Sequence, residues 1–443
     1  MHIRATGKRA VPLEGLEVVG HACETPEWTT TTLEGPGHAI ARVRLEQALS
    51  PSELLVVKLD VGGGEVTRSI YAHRRAFADR FPIGTWTGTP ETYALLRRLH
   101  IDTIVKGGRS DDPFYSELVD KYGFHTMVHT GLPVNVDMVR DLGKHPAVDC
   151  WMLQDEPDWS IPPNIMLFAD RTVRAYNKTK PTFITLCRNI KFFEYAPISD
   201  IPCMDHYAVT APSSSRWPKF YGTHLEETAY YTRDLKYASE PKPIWIWSQA
   251  IADWTQRPKR PVPTPAELAA QLMLNLGRGA KGILWFNYDH EVAEQYPDVR
   301  DAMRDWGRVM YVLREDFLGS EPVAIPTDAP KKVDVAALTT WDKLLLCATN
   351  LDYEIDPEAY PFETKRDVKV KVRPPSWIRP KAALRVSPAG VESVPLQMRR
   401  EHAVVTLGDL EVCDVVVLVN DPAAEDAYKE AYAAAIAEEQ REF

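Results

Sequence analysis

Three carboxylates stand where they could move protons. In WMLQDEPDW a strongly apolar run ends at Asp155 and Glu156, and Pro157, which has no N–H for a strand ladder, is expected to stop the strand there. Strand side chains alternate, so one of these two acids should face into whatever the strand lines while its neighbour faces elsewhere. The third acid, Asp205, ends the run IPCMD and is followed directly by His206 and Tyr207. Two carboxyls suit general acid and base work when an apolar, partly dry setting raises the pKa of one of them. Asp205 is the first choice as partner of Glu156; Asp155, Asp289 and Glu291 follow. Flat rings and planar polar groups close the other apolar runs in the same way. They are Trp86, Lys106 and His129 early in the chain, then Arg188 and Asn189, then Trp247 and Gln249, and last Trp285, Asn287 and Tyr288.

These residues need a common frame, and the chain supplies one. Apolar runs at 81–86, 101–107, 124–131, 148–156, 182–189, 201–207, 243–250 and 281–288 alternate with helix signals such as PETYALLRRLH and PTPAELAAQLMLNLGRGA. In the second of these Thr264 precedes Pro265, and Glu267 follows three positions on, the pattern of a capped helix start. Strands this apolar must be buried on both faces, which predicts a parallel sheet. Eight such units predict an α/β fold of the (β/α)8 TIM barrel type, with the reactive ends of its strands at the carboxyl-terminal mouth. No GxGxxG or Walker loop follows any strand, so a nucleotide fold loses its main support. The expected organisation is an N-terminal β-rich module over 1–78, the barrel over 79–320, a C-terminal antiparallel β-sandwich over 321–421 and a helix over 422–443. GSEPVAIPTDAPKK reads as a linker.

Asp155-Glu156-Pro157 at the end of the fourth strand resembles the Asn-Glu-Pro signature of clan A glycoside hydrolases, and the run PTPAELAAQLMLNLGRGAKGILWFNYD looks like the helix-seven to strand-eight passage of bacterial glycosidase-like barrels. The resemblance covers roughly residues 80 to 320. It implies glycosidic bond cleavage in an oligo- or polysaccharide, with Glu156 as general acid/base. The clan's nucleophile is a Glu ending strand seven, but PIWIWSQA carries Gln249 there, and an amide cannot form the glycosyl ester. The second carboxylate must then come from elsewhere, as nucleophile or as base according to its distance from Glu156. The competing reading is a carbohydrate-binding barrel that has lost its nucleophile. For sugar contact Trp285 and one of Trp245 and Trp247 are favoured as platforms over Trp151 and Trp306, with His206 and Tyr207 beside Asp205.

Composition narrows the remaining choices. A net charge of -10 over 443 residues repels phosphate backbones, so nucleic acid is not an expected partner, and no apolar run is long enough for a membrane span. His125 and His129 lie four apart on a strand, not on a helix as HExxH requires, and the chain has no GxSxG elbow. Neither metal nor cofactor is expected. Ser213 to Ser215 read as a loop at the substrate edge, and the six cysteines as buried reduced thiols. MHIRATGKRAVPLEG has basic residues but no apolar stretch behind them, which reads as cytoplasmic if the chain is complete and as secreted or periplasmic if it was trimmed. Oligomeric state has no signature here.

Overall fold

The computed structural model describes residues 2–5, 10–33, 37–47, 53–72, 80–86, 88–107, 112–209, 224–251, 262–325, 327–356 and 359–443. The eight apolar runs form β1 (Ile83–Thr85), β2 (Thr103–Gly107), β3 (His125–His129), β4 (Val148–Met152), β5 (Thr182–Leu186), β6 (Ile201–Asp205), β7 (Trp245–Ile251) and β8 (Ile283–Tyr288). All pair in parallel, and β8 pairs back onto β1 through Ile283 and Ile83, closing the barrel. The TIM barrel expected from the alternating pattern is therefore present.

Period-two alternation sorts the strand side chains into two layers. Met127, Cys150, Met152, Phe183, Cys203, Trp245, Trp247 and Leu284 fill the barrel interior. Their neighbours Val128, Trp151, Ile184, Met204, Ile246 and Trp285 point outward into the layer between strands and helices. Both layers are dry, which explains why these strands read as continuous apolar runs rather than as alternating ones.

The helix Pro265–Gly277 opens with the reciprocal cap predicted from its sequence, the Glu267 amide donating to Thr264 Oγ1 at 3.3 Å and the Thr264 amide to Glu267 Oε2 at 2.7 Å. Its last residue sits against a C-terminal strand so closely that a Cβ on Gly277 would lie 2.7 Å from the Ala336 Cβ. That strand belongs to a six-stranded sheet with one face on the barrel helices and the other facing a four-stranded sheet across a shared apolar core. The 319–332 segment, expected to be only a linker, adds a two-residue strand to each sheet, at Glu321–Pro322 and Thr327–Asp328. At the other end of the chain, strands including Glu53–Val61 and Gly64–Ala72 enclose a separate small core. All six cysteines are free thiols; Cys23, at an isolated bridge to Leu45, and Cys413, the first residue of its strand, are only partly buried.

The final helix, Ala424–Glu439, returns to the barrel. Arg308 grips Glu439 with both arms, at 2.6 and 2.8 Å, and His100 Nε2 lies 2.9 Å away. Burial alone would raise the Glu439 pKa, but the His100 and Arg308 hydrogen bonds hold it down at about 2. Because this folded value is below the unfolded one, roughly 4.3, the carboxylate's contribution is present above about pH 4 and lost as pH falls toward 2. Glu439→Gln should lower stability at pH 7 by about 1–3 kcal/mol. In denaturant titrations the gap between variant and wild type should close on acidification; a gap that persists at pH 2 would refute the assignment.

Candidate active site

The mouth of the barrel at the carboxyl ends of β4, β5 and β6 gathers the acids. β4 ends at Met152, three residues earlier than Asp155, and Pro157 opens a single helical turn, Pro157–Trp159, in place of terminating the strand. Between them Glu156 adopts φ 41° and ψ 47°, a left-handed conformation uncommon for a residue with a Cβ. This break ends the alternation expected for the pair. Asp155 and Glu156 both act on Asp205, which projects inward from the last position of β6.

Oxygens of Glu156 and Asp205 and the Sγ of Cys187 all lie within 4.8 Å of one another. Asp205 is 6% exposed, and among the described residues no donor reaches its Oδ1; Oδ2 accepts the Tyr207 hydroxyl at 3.4 Å. Burial, then repulsion from Glu156 and Asp155, holds the Asp205 carboxyl well above the usual carboxylate range. Asp155 is pushed up to about 7 by burial and by the charges of Glu156 and Asp158, against an opposing hydrogen bond from Thr185. Tyr207, buried among the same acids, stays protonated far above its ordinary range and so remains a donor. Asp155 and Asp205 are thus close carboxyls in low dielectric whose protonated forms are favoured. A cation could meet the Glu156, Asp205 and Cys187 atoms, but burial first, then the nearby carboxylates, raise the Cys187 thiol far above its normal value, which disfavours the thiolate a metal needs.

Asp158, Cys187 and Thr185 join this cluster without having been singled out from the sequence. Asp158 accepts the Cys187 amide at 3.1 Å and the Arg188 amide at 2.7 Å, so the turn after β4 clamps the end of β5. Burial raises its pKa while those two amides oppose the rise. Its signal was present: a third acid in the run DEPD, two residues after Glu156.

The remaining predicted residues divide. Trp86 is half-buried at the mouth, its ring 5.4 Å from Trp247 and 6.0 Å from Phe286, and Tyr207 stacks on Phe286 at 5.2 Å. Trp247 lies inside the barrel, its Nε1 donating to Thr185 Oγ1 at 3.1 Å. Arg188 and Asn189 are half-buried just beyond β5, the Arg188 guanidinium 5.2 Å over the Trp159 ring. His129 ends β3 and accepts the Gly131 amide at 3.1 Å; burial lowers its pKa. Gln249 is fully buried on the inner face of β7, its Oε1 accepting the Val209 amide at 3.2 Å. Asn287 accepts the Thr85 hydroxyl at 3.2 Å, tying β8 to β1.

Three residues fall away from the mouth. Trp285 points into the layer between strands and helices, because alternation from the inward Leu284 turns Phe286, not Trp285, to the interior. The same rule turns His206 outward between the inward Asp205 and Tyr207, where it stacks on Tyr231 at 4.2 Å, and burial lowers its pKa to about 3. Tyr288 joins the outer layer and stacks on His290. Lys106 lies in β2 opposite Val128, but its side chain, like Ser213 to Ser215, is outside the described residues.

No protein-family model matches the chain, and neither does any curated protein. Solved structures do. An α-L-fucosidase isoenzyme 2 from Paenibacillus thiaminolyticus superposes with a TM-score of 0.50 at 7% identity, over 77% of this chain and 99% of that one. A cycloisomaltooligosaccharide glucanotransferase from Paenibacillus sp. matches 94% of this chain and 96% of its own at 9% identity and TM-score 0.49. A GH30 endoxylanase from Clostridium papyrosolvens C71 matches 76% and 95% at 10% identity and TM-score 0.47. At such identities the likeness is one of fold.

Proposed function

We propose that the protein hydrolyses glycosidic bonds, with Glu156 as general acid/base and Asp205 as nucleophile. The observation that carries this reading is the approach of Glu156 and Asp205 oxygens to within 4.8 Å at the carboxyl-terminal mouth of a TIM barrel. Retaining glycosidases hold their carboxyls roughly 5–5.5 Å apart, whereas inversion needs roughly 6.5–9.5 Å to admit a water between them. The Glu156 and Asp205 side chains hydrogen-bond each other, too close to admit that water, which supports the retaining class.

In the empty site burial and its acidic neighbours favour the protonated form of Asp205, so the first step needs that proton passed to Glu156 as the sugar binds, which leaves Asp205 an anion that accepts the Tyr207 hydroxyl. Glu156 gives its proton to the departing glycosidic oxygen as the C–O bond breaks, and Asp205 bonds to the sugar carbon as an ester. A water next attacks that carbon, yielding its proton to the Glu156 carboxylate, and Asp205 leaves. The positive charge that develops on the sugar relieves the repulsion among the acids, so their crowding favours the transition state over the empty site. Trp86 offers a flat apolar face to the ring C–H groups, and Arg188 and Asn189 offer donors to hydroxyls.

Purified protein should release new reducing ends from members of an oligosaccharide panel. Glu156→Gln should lose about 10²–10⁴-fold on natural glycosides and much less on aryl glycosides whose leaving group needs no proton. Glycan binding without cleavage of any panel member would overturn the proposal in favour of a binding barrel, the reading that Gln249 at the strand-seven position motivates.

A further inference from the structure

Outside the mouth, large apolar side chains lie exposed on one flank of the barrel. The helix Pro163–Tyr176, which follows β4, presents Ile165, Phe168 and Tyr176 to solvent at 41, 72 and 51% exposure, positions that fall on one stripe of a 3.6-residue period. The adjoining stripe, Met166, Ala169 and Val173, is fully buried, so the apolar face of this helix extends beyond the part that the barrel covers. After β5, Ile190 and Phe193 stand out at 72 and 62%. The helix Glu227–Ser239, which follows β6, adds Tyr230 and Tyr237, one stripe again, at 45 and 71%. The Phe193 and Tyr237 rings meet edge to face at 5.8 Å, joining the segment after β5 to the helix after β6, and the helix Pro163–Tyr176 packs beside Phe192–Tyr195. More than half of the large apolar side chains exposed among the described residues lie here.

A patch of this extent is more than a monomer surface ordinarily leaves in water. Taking 150–250 Å² for each aromatic side chain and somewhat less for each aliphatic one, these residues expose roughly 800 Å². That equals one side of a standard interface, about 800 Å² per partner. The ion pairs Lys191–Glu194 and Arg233–Asp234 are each closed within one copy and add no net charge to the flank, so two copies can meet there without repulsion between these groups. We infer that this flank is the isologous interface of a homodimer, two copies packing through the helices that follow β4, β5 and β6. Sedimentation of the full chain should show a dimer at micromolar concentration. With a net charge of -10 on each copy, association should tighten as salt screens the repulsion.

Phe168→Asp and Phe193→Asp should each raise the dimer dissociation constant by about 30-fold or more, the effect of losing an interface hot spot. Tyr237→Asp, on a different helix, should do the same. All three sites are exposed, so melting curves at concentrations where the wild type is monomeric should stay unchanged, which separates a lost interface from a lost fold. A wild type that sediments as a monomer up to 100-fold above the micromolar range, a dimer that all three substitutions leave intact, or a monomer that binds polysaccharide through this flank would each overturn the inference.

Discussion

Asp205→Asn should fold, melt no lower than the wild type and hydrolyse its glycoside roughly 10⁴-fold or more slowly. The folding half follows from burial: Asp205 is 6% exposed and its ionised form is disfavoured by desolvation and by two neighbouring acids, so a neutral amide of the same shape removes a cost. The kinetic half follows from the ester that an amide cannot form. A smaller variant, Asp205→Gly, leaves space beside the sugar carbon. Added azide should then restore turnover and give a glycosyl azide of inverted configuration, an outcome that a merely structural Asp205 would not produce. Retention of full turnover in Asp205→Asn, or no rescue of Asp205→Gly by azide while Glu156→Gln remains impaired, would move the nucleophile elsewhere.

The second large effect concerns Asp155 and stability. Its folded pKa of about 7 stands above the unfolded value of roughly 3.9, so the folded chain holds a proton that the unfolded chain has released between those limits. The resulting stability is fully present below about pH 4 and is lost as pH rises through 7. Three units correspond to about 4 kcal/mol. Asp155→Asn keeps an oxygen to accept from Thr185 and removes the titration. Wild type and variant should therefore unfold at similar denaturant concentrations at pH 4, while at pH 8 the variant is the more stable. Parallel curves across that range would refute the shift.

Much of this architecture is legible in residue order. The eight apolar runs, their number and their alternation with capped helices require a closed parallel barrel, because strands that are apolar on both faces have to be covered on both faces. Alternation also contains more than position at a strand end reveals: with Asp205 inward, Tyr207 is inward and His206 is not, and with Leu284 inward the ring at the interior is Phe286 and not Trp285. A tryptophan at the end of a run is a weaker guide than the parity of its position.

What order along the chain leaves undetermined is distance and dielectric. Glu156 meets Asp205 because β4, β5 and β6 are neighbours in the barrel and because the left-handed turn at Glu156 breaks the alternation that would have sent one acid of the pair away. Asp158 matters because its two amide partners come from the end of β5. The proton held by Asp155 depends first on burial in the assembled barrel, which adds to the charges of its chain neighbours Glu156 and Asp158 and outweighs the opposing hydrogen bond from Thr185 of β5. Local propensity and burial pattern act over a few residues and can be read one segment at a time. Separation between charges and exclusion of water belong to the assembled barrel, and these decide which acids hold protons.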